Sequence, residues 1–173
     1  MQKVVLVLGG ARSGKSTYAL NEASAINGKK AFIATAEILD DEMRVRVENH
    51  KHERGKDWDT YEEPLGIASV IEKIRDGYDV IIIDCLTLWV SNIMHAGSDV
   101  SVEIKRLVSV ISVNHSSTIY IISNEVGLGL VPDIPIGREY RDILGRLNQE
   151  IASAATDVIF MVAGIPLIIK GAG

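Results

Sequence analysis

The chain has 173 residues, about the size of one domain, and such a domain buries enough surface to fold without metal or disulfide staples. Its composition is that of an ordinary globular protein, with 47% apolar and 24% charged residues, and its net charge of −5 argues against a general nucleic-acid binder. The one cysteine, Cys85, excludes an intrachain disulfide and is compatible with a reducing compartment.

The first element is an apolar β-branched run, Lys3–Leu8, that ends at two glycines. It is too short for a membrane span, which needs about 20 apolar residues, and lacks the pattern of a signal peptide. A cytoplasmic, soluble protein is therefore expected. Further strands are expected at Ala31–Ala34, Val80–Ile83, Thr118–Ile122 and Asp157–Val162, and most are continuously apolar, as in parallel strands covered on both faces. Helices are expected at Lys15–Ile26, Asp40–Arg54, Leu65–Arg75, Leu86–His95, Val102–Ser112 and Ile136–Ala155. Long loops are expected at Trp58–Pro64 and Asn124–Pro135. The alternation points to one α/β domain over residues 1–173, three-layered with a mostly parallel central sheet.

The sharpest motif is Gly9-Gly10-Ala11-Arg12-Ser13-Gly14-Lys15-Ser16, which fits G-x-x-x-x-G-K-S between a strand and a helix and makes the expected domain a P-loop NTPase type. Glycines let backbone N–H groups converge on phosphate oxygens, and the helix N-terminus adds favourable partial charge. Lys15 is expected to reach the β- and γ-phosphates and Ser16 to ligate Mg²⁺. The run Val80-Ile81-Ile82-Ile83-Asp84 ends in a carboxylate suited to Mg²⁺, expected on the strand beside the loop. Cys85 reads as a small buried residue rather than a nucleophile.

A switch GTPase would need N-K-x-D to read guanine, and the sequence has none. A small-molecule kinase fits the size and acidity. A nucleotide-sensing module that binds without turnover is the alternative of a different class. Within Asp40–Arg54, helical spacing of four places Arg46, His50 and Arg54 on one stripe and sends His52 to nearly the opposite side. That stripe reads either as a solvated basic face or as an imidazole nucleophile between two guanidinium groups.

Taken together, these blocks resemble the bifunctional adenosylcobinamide kinase / adenosylcobinamide-phosphate guanylyltransferase family of cobalamin biosynthesis. The likeness is carried by the phosphate loop, Ala34–Met43, Arg46, His50, Arg54 and Trp58. It continues through Asp84–Thr87, Val90–Asn92, Ser123–Pro132, Arg141–Gln149 and Gly164–Pro166. It implies two activities. ATP or GTP phosphorylates the aminopropanol hydroxyl of adenosylcobinamide, and GTP then guanylylates a histidine, whose GMP passes to the cobinamide phosphate. By position His50 looks like the guanylylated residue, with Lys15 the other catalytic residue. The implied nucleotide contacts are the loop Gly9–Ser16, Ala34, Thr35, Ala36, Lys51, His52, Glu53, Arg54, Glu62 and Asp84, with Ser16 and Asp84 on the metal. A homotrimer with nucleotide sites near subunit contacts is also implied. Because the two reactions attack different phosphorus atoms, either Asp40–Arg54 approaches the loop or the nucleotide binds in a second pose. For the kinase step Asp84 and Glu125 are conceivable bases, and Glu125 could equally hold amides of the Gly127–Gly129 loop.

Overall fold

A computed structural model describes residues 3–37, 57–113 and 115–171. In chain order the elements are β1 (Lys3–Gly9), α1 (Lys15–Ser24), β2 (Lys30–Ala34), β3 (Trp58–Glu62), α2 (Ile67–Ile74), β4 (Val80–Asp84), α3 (Leu86–His95), α4 (Val100–Ser112), β5 (Thr118–Asn124), α5 (Pro135–Ala154), β6 (Asp157–Val162) and β7 (Ile165–Lys170). The expected helix Asp40–Arg54 lies outside the described residues. The other expected helices and all five expected strands are present with ends shifted by a few residues. Helix α4 begins two residues early because Asp99 caps it, its carboxylate accepting from the Ser101 and Val102 amides at 3.0 and 3.2 Å.

The strands form one sheet in the order β3-β2-β4-β5-β1-β6-β7. Every neighbouring pair is parallel except β6 with β7. Side chains alternate between the two faces, as the pleat requires. Val4, Leu6, Ile33, Ile81, Ile83, Ile119 and Ile121 pack under α2 to α5, whereas Val5, Val7, Phe32, Ile82 and Ile122 pack under Ala19 and Ala23 of α1. Burial on both faces is why β1 and β4 are written almost entirely in Val, Ile and Leu, and why β5 carries Ile119, Ile121 and Ile122.

Three sequence expectations are corrected. Trp58–Pro64 is not a loop over its first five residues: it forms strand β3, which among the described residues is an edge strand paired only with β2. Its polar Asp59, Thr60 and Glu62 hid it, since an edge strand open to solvent need bury only one residue, here Trp58, edge-on to Phe32. The strand expected at Asp157–Val162 is not the last of the sheet: the chain turns at Ala163–Gly164 and returns as β7, which was not among the expected strands and where Pro166 is tolerated because, among the described residues, the strand lies at the edge. Finally, β4 is not beside β1, because β5 lies between them. The crossover through α3 and α4 inserts β5 there, so the strand end nearest the loop on that side belongs to Asn124 and not to Asp84.

Candidate active site at the strand ends

The carboxyl ends of the parallel strands form one row. In register across the sheet, Glu62 stands opposite Ala34, Ala34 opposite Asp84, and Gly9 opposite both Asn124 and Met161. In open parallel sheets this edge is where ligands bind.

The loop from Gly9 to Ser16 turns back on itself. Arg12 (φ 56°) and Gly14 (φ 91°) take left-handed conformations, and Gly14 caps α1 with no side chain. Gly9 can be nothing larger: a Cβ there would lie 2.5 Å from Ser13 Oγ and 2.7 Å from the Met161 carbonyl. The loop is pinned from both sides, since the Gly164 amide donates to the Ser13 carbonyl at 3.0 Å and the Glu125 amide to the Gly9 carbonyl at 3.1 Å. Ser13 Oγ is buried with no hydrogen-bond partner among the described residues, and such a group is expected to be completed by a ligand or water.

Lys15 is almost wholly buried, and its Nζ donates to the Gly10 carbonyl at 2.9 Å. Burial lowers its pKa from the ordinary value, opposed by Cys85 and Asp84 nearby. A cation desolvated in this way is already dehydrated for an anionic ligand. Cys85 is held as a neutral thiol, its pKa pushed up to about 11 by burial and then by Asp84. This agrees with the reading of Cys85 as structural.

Thr35 joins β2 to β4. Its hydroxyl donates to the Cys85 carbonyl and accepts from the Cys85 amide, both at 2.8 Å, while its own amide donates to the Asp84 carbonyl at 3.1 Å. Asn92 of α3 donates to the carbonyls of Thr35 and Pro64 at 2.7 and 3.1 Å. The family blocks around Thr35, Asp84 and Asn92 are thus one hydrogen-bonded unit that fixes the Asp84 end of β4. Glu125 is held in the structural way considered above: its two carboxylate oxygens accept from the Gly127 and Leu128 amides at 2.8 and 2.9 Å.

The structure therefore brings together Gly9–Ser16, Ala34, Thr35, Glu62 and Asp84 along one sheet edge, with Ala36 just beyond β2. His50, Lys51, His52, Glu53, Arg54 and Arg46 lie outside the described residues. Sequence reasoning gave no role to Asn124. It ends β5 between the loop and Asp84, and its Oδ1 is buried without a partner among the described residues. A polar residue closing an apolar strand was the available signal, as it was for Asp84.

The donor set fits Mg²⁺. One hydroxyl, Ser16, and one carboxylate, Asp84, suit a small cation that keeps several waters and takes phosphate oxygens. No group of three or more His, Cys, Asp or Glu that could cage a metal occurs among the described residues.

A mostly parallel sheet, a phosphate loop at its carboxyl edge and a buried lysine define a phosphate-loop nucleotide-binding domain. Solved structures agree on the fold. An ATPase from the type III secretion system of pathogenic bacteria matches with a TM-score of 0.56 at 12% identity, over 92% of this chain and 51% of that one. A KaiC-like protein from Pyrococcus horikoshii matches with a TM-score of 0.54 at 13% identity, over 92% and 70%. Within that class, the chain belongs to the cobinamide kinase / cobinamide phosphate guanyltransferase family, whose sequence model matches residues 5–169. The "bifunctional adenosylcobalamin biosynthesis protein" of Escherichia coli K12 is 35% identical, over 96% of this chain and 99% of its own. That of Pseudomonas aeruginosa PAO1 is 37% identical, over 96% of each. Kinase and guanylyltransferase activity on cobinamide substrates follows from that membership, as does nucleotide binding.

Proposed function

We propose that this chain phosphorylates adenosylcobinamide and then guanylylates the product through a covalent adduct on His50, both reactions using the one loop and one domain. The observation that supports the reading best is the poised Lys15, buried and dehydrated in a complete phosphate loop within a chain of this family.

In the kinase step the acceptor hydroxyl oxygen attacks the γ-phosphorus. The bond from that phosphorus to the β,γ-bridging oxygen breaks, the nucleoside diphosphate leaves, and the hydroxyl proton passes to solvent or a nearby carboxylate. In the transferase step an imidazole nitrogen of His50 attacks the α-phosphorus of GTP, and pyrophosphate departs with the α,β-bridging oxygen. A phosphate oxygen of the cobinamide phosphate then displaces the imidazole from phosphorus. In both reactions the chain supplies position and charge: loop amides orient the phosphates and Lys15 neutralises the charge that builds on them. Mg²⁺, when held by Ser16 and Asp84, adds further neutralisation of phosphate charge. Glu62 is four strand spacings from Gly9, about 19 Å at the spacing of paired strands. It therefore meets the ribose or base end of a nucleotide whose phosphates occupy the loop, or belongs to a second nucleotide pose.

The homotrimer belongs to the same proposal. Exposed Val162, Ile165, Leu167, Ile168 and Ile169 leave the β7 edge apolar, as a strand awaiting a partner would be. The β6–β7 turn packs on the phosphate loop through Gly164, so a second copy seated on β7 would lie beside the nucleotide.

Incubation with GTP labelled at the α-phosphate is expected to give an acid-labile, base-stable protein adduct, and His50→Ala is expected to abolish it while sparing cobinamide phosphorylation. If His50→Ala is labelled as well as the unmutated chain, His50 is not the nucleophile.

A further inference from the structure

On the face of the sheet opposite α1, a cavity of about 590 Å³ opens between α3, the start of α4 and α5. Its apolar wall includes Met94, Ile136 and Ile143, and its polar groups include Ser91, His95 and Glu139. Among the described residues no Lys or Arg lines it and Glu139 is its one carboxylate, so they offer a triphosphate no cation. The cavity nevertheless reaches the reacting edge. Thr87, in its lining, lies three residues beyond Asp84; its hydroxyl accepts from the Asn124 amide at 2.9 Å and its carbonyl from Tyr140 at 3.0 Å.

Beside the cavity, the segment from Val126 to Ile136 exposes apolar side chains: Leu128 is 81%, Leu130 95% and Val131 63% exposed, and Ile136 belongs to both this patch and the cavity wall. A solvated loop does not ordinarily carry such side chains. Nor is its backbone loosely held. Glu125 grips the Gly127 and Leu128 amides, and Arg138 donates to the carbonyls of Pro132 and Asp133 at 2.9 and 2.7 Å. Charged side chains thus fix the backbone while the apolar side chains face outward, which makes a preformed platform.

We propose that this platform and cavity together form the corrinoid acceptor site, an assignment that rests on the function proposed above. A cobinamide is a broad macrocycle, cationic at cobalt and fringed with primary amides. The platform takes its apolar face. The cavity takes amide arms, for which Ser91, His95 and Glu139 offer donors and acceptors and no opposing positive charge. The hydroxyl-bearing arm runs past Thr87 toward Asp84 and the loop. The nucleotide and the acceptor then enter from opposite sides of the strand ends, the arrangement in-line transfer requires.

The test uses the full chain and steady-state phosphorylation of cobinamide by ATP. Leu130→Asp on the platform and Ser91→Trp in the cavity are each expected to raise the KM for cobinamide about tenfold or more, as loss of one buried apolar contact would, with kcat changed less than about threefold. The upward shift in melting temperature caused by GTP reports that each variant is folded with an intact phosphate loop; should Ser91→Trp not fold, the exposed Leu130 carries the test. An unchanged KM in both variants overturns the assignment. So does a Leu130→Asp variant whose mass by light scattering falls while its KM stays the same, because the platform is then a subunit contact. If the unmutated chain does not phosphorylate cobinamide at all, the functional reading fails; if it does and the variants match it, the site assignment alone fails.

Discussion

Strands β4 and β7 are written in nearly the same alphabet and end in opposite environments. Val80–Ile83 are wholly buried between two helical layers, whereas Ile165, Leu167, Ile168 and Ile169 of β7 are more than half exposed at the sheet edge. Hydrophobicity says that a strand will be covered, not by what. For β4 the cover is α2 to α5 on one face and α1 on the other; for β7 the described residues supply none on its free edge. The same difference separates their roles. Strand β4 carries Asp84 to the carboxyl edge of the sheet, while β7 returns from the turn that braces the phosphate loop.

The largest expected effect lies where the buried half meets the loop. Lys15→Met is expected to lower both cobinamide phosphorylation and GMP transfer by about 10²–10³-fold or more, the scale for losing a preorganised charge-stabilising donor. Thermal stability of the free protein is expected to hold or rise. Burial lowers the folded pKa of Lys15, so at neutral pH carrying its charge costs the fold stability, and that cost disappears as pH climbs through the folded pKa toward 10.5. Loss of only one reaction would show that the two do not share the loop.

Next comes the direct contrast of strands. Ile82→Ala in β4 is expected to destabilise by about 2–5 kcal/mol in urea unfolding, against about 0.5 kcal/mol or less for Ile168→Ala in β7 when the protein is dilute enough to be monomeric. Equal costs would mean that β7 is covered within its own chain. At assembly concentrations Leu167→Lys is expected to reduce the mass seen by light scattering to that of the monomer, and an unchanged mass would remove β7 from the subunit contact.

These contrasts mark what the sequence could reveal. The phosphate loop was legible because its chemistry demands fixed spacing of glycines and lysine between strand and helix. The core strands were legible because burial on both faces leaves little choice beyond Val, Ile and Leu. Strand β3 was hidden because an edge strand can be mostly polar. The insertion of β5 between β1 and β4 was hidden because strand order depends on crossovers that leave no local residue signature. Asn124 went unassigned for that reason: its place between the loop and Asp84 exists only after the strands are ordered. The cavity between α3 and α5 is assembled from residues about 50 apart in the chain, beyond the reach of periodicity.

The smallest effect concerns Cys85, at the end of the buried strand. Its folded pKa of about 11 lies above the 9.0 of an unperturbed thiol, first through burial and then through Asp84. Between pH 9 and 11 the unfolded chain has released the proton that the folded chain keeps, so stability falls as pH rises through that window, by at most about 2–3 kcal/mol. Lys15 acts with the opposite sign over its own window, while Tyr18, Tyr120 and Tyr140, whose pKa values burial raises, add to the fall above pH 10, so the test is the difference between two chains. Cys85→Ala removes the thiol contribution alone. Its stability relative to the unmutated chain is therefore expected to improve between pH 9 and 11, as read from urea unfolding across the series. At pH 8 the folded thiol is also expected to react with a thiol reagent far more slowly than the same thiol in denaturant. A parallel pH dependence in the two chains, or equal labelling rates, would place Cys85 outside the desolvated end of β4 and weaken the contrast with the open edge at β7.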